Sequence, residues 1–123
     1  NEQQTLKGAV FEVYDAKEDR WRNAAPMPKG SGAGGNACGT VDGKLYVFGG
    51  EYFDNGGRVH PEAWMYDPAT DAWLSMPPMP TPRHGLGGVT FHSWIVLLGG
   101  AKKPSGNDTT DTVEVFSPLA DRG

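Results

Sequence analysis

Residues able to do chemistry are few in this sequence. It holds three histidines, His60, His84 and His92, and one cysteine, Cys38. A single cysteine makes neither an internal disulfide nor a cysteine-based zinc site, and its ordinary place is a small buried position. His60 and His84 could approach each other in a folded chain, and Glu51 or Asp54 could join them as metal ligands. No short ligand spacing supports that arrangement, so neither a metal nor another cofactor is expected. There is no Gly-x-Ser-x-Gly nucleophile motif. The glycines at 30–35 are not followed by the Gly-Lys-Ser/Thr that completes a phosphate-cradling loop. Asn107-Asp108-Thr109 matches a glycosylation sequon, which matters only in a secreted eukaryotic chain. No catalytic set is expected, and the chain reads as a non-enzyme.

Residues suited to binding are easier to find. Residues 51–60 carry Tyr52 and Phe53, which could supply flat apolar contact. Arg58 in the same run offers a planar fork for carboxylate or phosphate, and His60 closes it. Equally, Phe53 could pack under its own loop and Arg58 could be solvated. Arg83 could bind an anion or bond neighbouring backbone carbonyls, with His84 beside it. These six residues, Tyr52, Phe53, Arg58, His60, Arg83 and His84, form the candidate binding set. Lys102-Lys103 reads as a solvated loop face.

The elements that must position these residues follow a repeat. Lys44-Leu45-Tyr46-Val47-Phe48-Gly49-Gly50 returns as Trp94-Ile95-Val96-Leu97-Leu98-Gly99-Gly100, 50 residues on. An aromatic-Asp pair at Tyr14-Asp15 recurs at Tyr66-Asp67, relaxed to Phe116-Ser117. Trp21 and Trp73 each follow the aromatic by seven residues, and Met-Pro pairs sit at Met27 and Met79. Self-similarity at this period signals a repeat architecture. Each period divides into four strands. The inner strand is expected at 34–41 and 86–91, rich in small residues for a crowded place. The second is expected at 44–48 and 94–98, the third at 10–14, 63–66 and 112–116, and the outer at 20–24 and 72–75. Asp42-Gly43 suits a two-residue hairpin with positive φ, and His92-Ser93 holds the same place one period later. Pro68 and the flanking aspartates suit the turn at 67–71, and the prolines at 26, 28, 77, 78 and 80 end strands because they cannot donate to a ladder.

Glycine and proline supply 28 of the 123 residues, spaced between short β-branched and aromatic runs, as many short strands joined by turns require. Net charge is −4 with no basic cluster beyond two lysines, which argues against nucleic acid. No apolar run nears the roughly 18 residues of a membrane span. The polar start, Asn1-Glu2-Gln3-Gln4, lacks a Met and reads as processed or cut from something longer.

Four antiparallel strands per period of 50 is the propeller-blade pattern, in which each sheet buries its faces against the next. Trp21, Tyr46, Phe48, Trp64, Trp73, Trp94 and Leu97 are expected in those seams. On Val41-Asp42-Gly43-Lys44-Leu45-Tyr46-Val47-Phe48-Gly49-Gly50, Met65-Tyr66-Asp67-Pro68-Ala69-Thr70-Asp71-Ala72-Trp73 and Met79-Pro80-Thr81-Pro82-Arg83-His84-Gly85, the sequence resembles the kelch repeat family. It looks most like the last two blades of the bacterial multi-kelch propellers. The resemblance implies a binding scaffold, most often for proteins and in some members for sugars, and leans towards an exported or periplasmic setting. The expected fold is all-β: a kelch-type β-propeller fragment of about two four-stranded antiparallel blades plus partial flanking strands. Residues 10–25 would end one blade, 33–77 would form a complete one, and 85–117 would form one lacking its outer strand. Nine strands do not close a ring, so the remaining blades or a protein partner are expected. Antiparallel order gathers the long loops, 29–35, 51–60, 81–84 and 101–111, at one end. That end is the expected binding face of a non-enzymatic binding or assembly module. The alternative is part of a carbohydrate-active propeller enzyme of the isomerase or oxidase class.

Overall fold

The computed structural model describes residues 10–28, 31–53 and 56–118; expectations placed on residues 1–4, 29–30, 119–123 and Asp54 lie outside them. The described chain is built of antiparallel strands. A two-stranded hairpin, β1 (Glu12–Asp15) and β2 (Arg20–Asn23), comes first. A four-stranded sheet follows, made of β3 (Ala37–Val41), β4 (Lys44–Phe48), β7 (Ala63–Asp67) and β8 (Ala72–Met76), in that spatial order. A three-stranded sheet closes the described chain, with β9 (Gly87–Phe91), β10 (Trp94–Leu98) and β13 (Val113–Phe116) ordered β13-β10-β9.

The inner, second, third and outer strands therefore stand where the repeat places them, with no end shifted by more than three residues. The largest shift has a clear cause. Gly35 takes φ of 70°, which breaks the extended run expected from 34, and Gly85 at 62° turns the chain just ahead of the second inner strand. Gly34 and His84 instead form lone bridges to Glu51 and Ala101. The β3–β4 turn carries positive φ at both Asp42 (52°) and Gly43 (74°), as a tight hairpin demands, and His92 at φ 56° does the same work between β9 and β10.

The core lies between the two larger sheets. Directly opposed residues in a ladder share a face, so Tyr46 opposite Met65 and Phe48 opposite Ala63 project together. They meet Ile95, Leu97 and Phe116 of the last sheet. Phe48 is 1% exposed and Ile95 0%, and burial on this scale stabilises by about 1.5–3 kcal/mol per side chain. Small residues on β3 let the inner strands approach. A Cβ on Gly39 would stand 2.9 Å from Thr90 Oγ1 and 3.0 Å from Ile95 Cγ2. Thr90 Oγ1 accepts from the Thr40 N–H and donates to the Thr40 carbonyl, both at 3.1 Å, which satisfies the open edge of β3.

The opening hairpin packs on the other face of the four-stranded sheet. Phe11 meets Tyr66 and Trp73 edge-on, with centroids 4.7 and 5.2 Å away. The Trp73 indole N–H donates to the Ala25 carbonyl at 2.8 Å, and the Ala25 N–H donates to Asp71 at 2.9 Å. Tyr66 donates to the same carboxylate at 2.6 Å.

Three burial expectations need correction. Cys38 is exposed rather than buried, because it points to the face that the β1–β2 hairpin covers only over β7 and β8. Trp21 and Trp94 are 66% and 47% exposed, because each lies on the outward face of a terminal sheet, on which no other described sheet packs.

Candidate functional site

Hydrogen bonding brings the long connections together at one end. Gly34 and Glu51 exchange N–H···O bonds of 2.9 and 2.8 Å, and His84 and Ala101 exchange two of 3.0 Å. The segments before each inner strand thus lie against those after each second strand, as antiparallel order requires.

Two of the connections are ordered hairpins rather than irregular loops. β5 (Glu51–Tyr52) pairs with β6 (Arg58–Val59), and β11 (Ala101–Lys103) pairs with β12 (Asn107–Thr109) around a short 3-10 turn, Pro104–Gly106. Strands of two or three residues leave almost no periodic signal. The glycines at 56–57 and the Ser105-Gly106 pair were the available turn cues.

Glu51 joins the two hairpins. One carboxylate oxygen stands 3.3 Å from His84 Nδ1, and the other accepts the Ser105 N–H at 2.8 Å. His84 is 6% exposed, and its Nε2 faces the Lys103 carbonyl at 2.7 Å. Its role here is to tie the 101–109 hairpin to the start of an inner strand. His60 stacks on Tyr52, with ring centroids 4.5 Å apart, and its nitrogens face Glu62 at 3.2 Å and the Gly32 carbonyl at 3.3 Å.

Arg83 is fully buried and donates at every nitrogen. Nη1 bonds the Gly99 and Thr112 carbonyls at 2.8 and 2.9 Å, Nε the Thr81 carbonyl at 3.2 Å, and Nη2 Glu114 at 2.8 Å. Of the two roles open to it, bonding neighbouring carbonyls is the one seen, and its full burial keeps it from an outside anion. Phe53, by contrast, does not pack beneath its own loop: it is 62% exposed at the hairpin tip, with Arg58 exposed nearby. The six candidates therefore divide. Phe53 and Arg58 face outward, Tyr52 and His60 support them, and Arg83 and His84 are internal ties.

Among the described residues no group of three or more His, Cys, Asp or Glu side chains is placed to hold a metal ion. Nor is any described helix long and apolar enough to cross a membrane. His92 lies in the β9–β10 turn, away from the other two histidines, against Phe91.

The Kelch motif family model matches residues 33–80. The chain is 34% identical over 117 residues to Kelch-like protein terF of Aspergillus terreus, an alignment covering 89% of this chain and 24% of that protein. It is 28% identical over 120 residues to beta-scruin of Limulus polyphemus, covering 93% and 13% respectively. It is 31% identical over 100 residues to an N-acetylneuraminate epimerase of Haemophilus influenzae, covering 76% and 26%. The chain thus spans about a quarter or less of the length of these relatives.

Proposed function

Because the chain belongs to the kelch repeat family, we propose that it acts as a non-enzymatic binding module for a protein partner, through the end where the two short hairpins meet. The observation that carries this reading is the Glu51 tie. By bonding His84 and Ser105 together it fixes the β5–β6 and β11–β12 hairpins as one platform, and that platform holds Phe53 and Arg58 outward. An apolar anchor beside a guanidinium, on hairpins already ordered, pays little conformational entropy on contact. Arg58 favours a partner carrying a carboxylate beside an apolar pocket. The Kelch-like relatives agree with a binding role.

The test is affinity capture from the native cells with the unaltered chain, followed by titration of the captured protein against Phe53→Ala and Arg58→Ala. Each substitution should weaken binding at least tenfold, the loss expected of a contact hot spot. Unchanged affinity in both variants would move the contact surface elsewhere. The epimerase relative supports a second reading, part of a carbohydrate-active enzyme. Conversion of N-acetylneuraminate by the unaltered chain would favour that reading over the first.

A further inference from the structure

His60 and His84 stand on different segments but are placed alike. Each points Nδ1 at a carboxylate and Nε2 at a backbone carbonyl. His60 faces Glu62 at 3.2 Å and the Gly32 carbonyl at 3.3 Å. His84 faces Glu51 at 3.3 Å and the Lys103 carbonyl at 2.7 Å. A carboxylate and a carbonyl only accept hydrogen bonds, and a neutral imidazole has one N–H to give. Each ring can therefore satisfy both partners only as the doubly protonated cation. In the neutral ring, one nitrogen lone pair faces an oxygen lone pair. The Gly106 N–H approaches His84 Nε2 at 3.4 Å and could donate to a bare nitrogen, but the nearer Lys103 carbonyl would then lose its donor. Little water can stand in, since the side chains of His60 and His84 are 12% and 8% exposed.

The two rings couple four segments of the long-loop end. His60 joins the close of the β5–β6 hairpin to Gly32, ahead of β3. His84, ahead of β9, joins Glu51 on β5 to Lys103 on β11. His60 also lies against the Tyr52 ring, a stack that a cationic imidazole strengthens. Tyr52 is the ladder partner of Arg58 and the neighbour of Phe53, so the ring reaches both outward residues. Among the described residues, the carboxylates facing the two rings are Glu51 and Glu62. The nearby cations are otherwise engaged or turned to solvent. Arg83 pairs with Glu114 at 2.8 Å and Lys102 with Asp108 at 3.6 Å, while Arg58 and Lys103 are exposed.

We infer that the long-loop end is a pH-sensitive switch, locked as one platform when His60 and His84 are both protonated and loosened when either gives up a proton. Histidine ordinarily changes charge between about pH 5 and 8. Because only the cation supplies both donors, the platform is firmest at the acid end of that window and loosens as pH rises through it. The consequence for a partner rests on the binding role proposed above: contact through Phe53 and Arg58 should strengthen on acidification.

The test is amide exchange in the full chain alone, across about pH 5 to 8 and corrected for the intrinsic rate. The Ser105 N–H, held by the Glu51 carboxylate, and the Gly34 N–H, held by the Glu51 carbonyl, report on the platform. Their protection should fall roughly tenfold from the acid to the alkaline end, while amides paired between β4 and β7 keep theirs. His60→Gln combined with His84→Gln should flatten this profile. His92→Gln, in the β9–β10 turn, should leave it unchanged. If the double variant fails to fold, ring-nitrogen NMR spectra of the unaltered chain decide the matter, since they should show both nitrogens of each ring protonated at the acid end. A flat profile in the unaltered chain, a profile that survives the double variant, a loss shared by the β4–β7 amides, or one neutral tautomer held throughout would each overturn the inference. No partner enters this experiment, so its outcome stands apart from that of the proposed binding surface.

Discussion

Arg83 shows how a residue type can suggest one chemistry and perform another. Its guanidinium spans Thr81, Gly99, Thr112 and Glu114, and so joins the segment before β9 to the ends of β10 and β13. Removing one partner of a buried pair leaves the other charge and the carbonyls unsatisfied. Arg83→Ala should therefore destabilise by about 3–5 kcal/mol, seen as a lower urea midpoint at unchanged slope. Arg83→Lys should restore less than half, since an ammonium cannot reproduce the fork. The sequence made Arg83 visible, but burial decides between an anion site and a structural tie, and burial depends on long-range packing. A smaller tie has a pH signature. Tyr66, and after it the Ala25 N–H, hold the Asp71 carboxyl below its usual 3.8. The same bond, more than burial, raises the Tyr66 hydroxyl above 10.0. A depressed carboxyl contributes in full above its unfolded value and loses its contribution as pH falls through the folded one. A raised hydroxyl contributes below 10.0 and loses it as pH rises further. Amide exchange in β1 and β2, which dock through Asp71, should quicken below pH 3.8 and above pH 10.0 relative to β4. Asp71→Asn should remove the acid limb; an unaltered acid limb would mean that the hairpin docks without this carboxylate.

At the scale of elements, the strands were legible because two independent signals coincide. Apolar runs of strand length close on glycine pairs, and turn residues recur at fixed offsets, so the nine expected strands all appear. The hairpins at 51–59 and 101–109 were not legible, because their order comes from Glu51 reaching across to His84 and Ser105 rather than from local propensity. The glycine pairs also differ in a way that repetition hides. Gly49 and Gly99 both hold positive φ, at 66° and 65°, so alanine at either costs about 1–2 kcal/mol for the left-handed backbone. Only at Gly49 would the new Cβ clash, with the Arg83 carbonyl oxygen; at Gly99 the nearest atom, the Thr110 carbonyl oxygen, stands at an ordinary 3.6 Å. Gly49→Ala should lower stability by clearly more than Gly99→Ala in matched thermal unfolding. Equal losses would show that the seam relaxes freely around Gly49.

For the whole molecule, the question is whether the two larger sheets unfold as one body. Their shared core is apolar and continuous, from Val41 and Tyr46 to Ile95 and Leu97. Their inner edges are further linked by Thr90 on Thr40 and by Arg83 on Gly50. Gly39→Val places a β-branched side chain in the seam between the sheets. The added methyls would press on Thr90 Oγ1 and on Ile95, and overpacking of this kind costs about 1–3 kcal/mol. If the seam is a single cooperative unit, the Thr40 and Gly50 amides should lose exchange protection together, although one bonds a side chain on β9 and the other a carbonyl before it. Amides paired between β4 and β7 should keep theirs, because that ladder lies within one sheet. Deprotection of Thr40 alone would mean that the hydroxyl contact yields locally while the sheets stay docked.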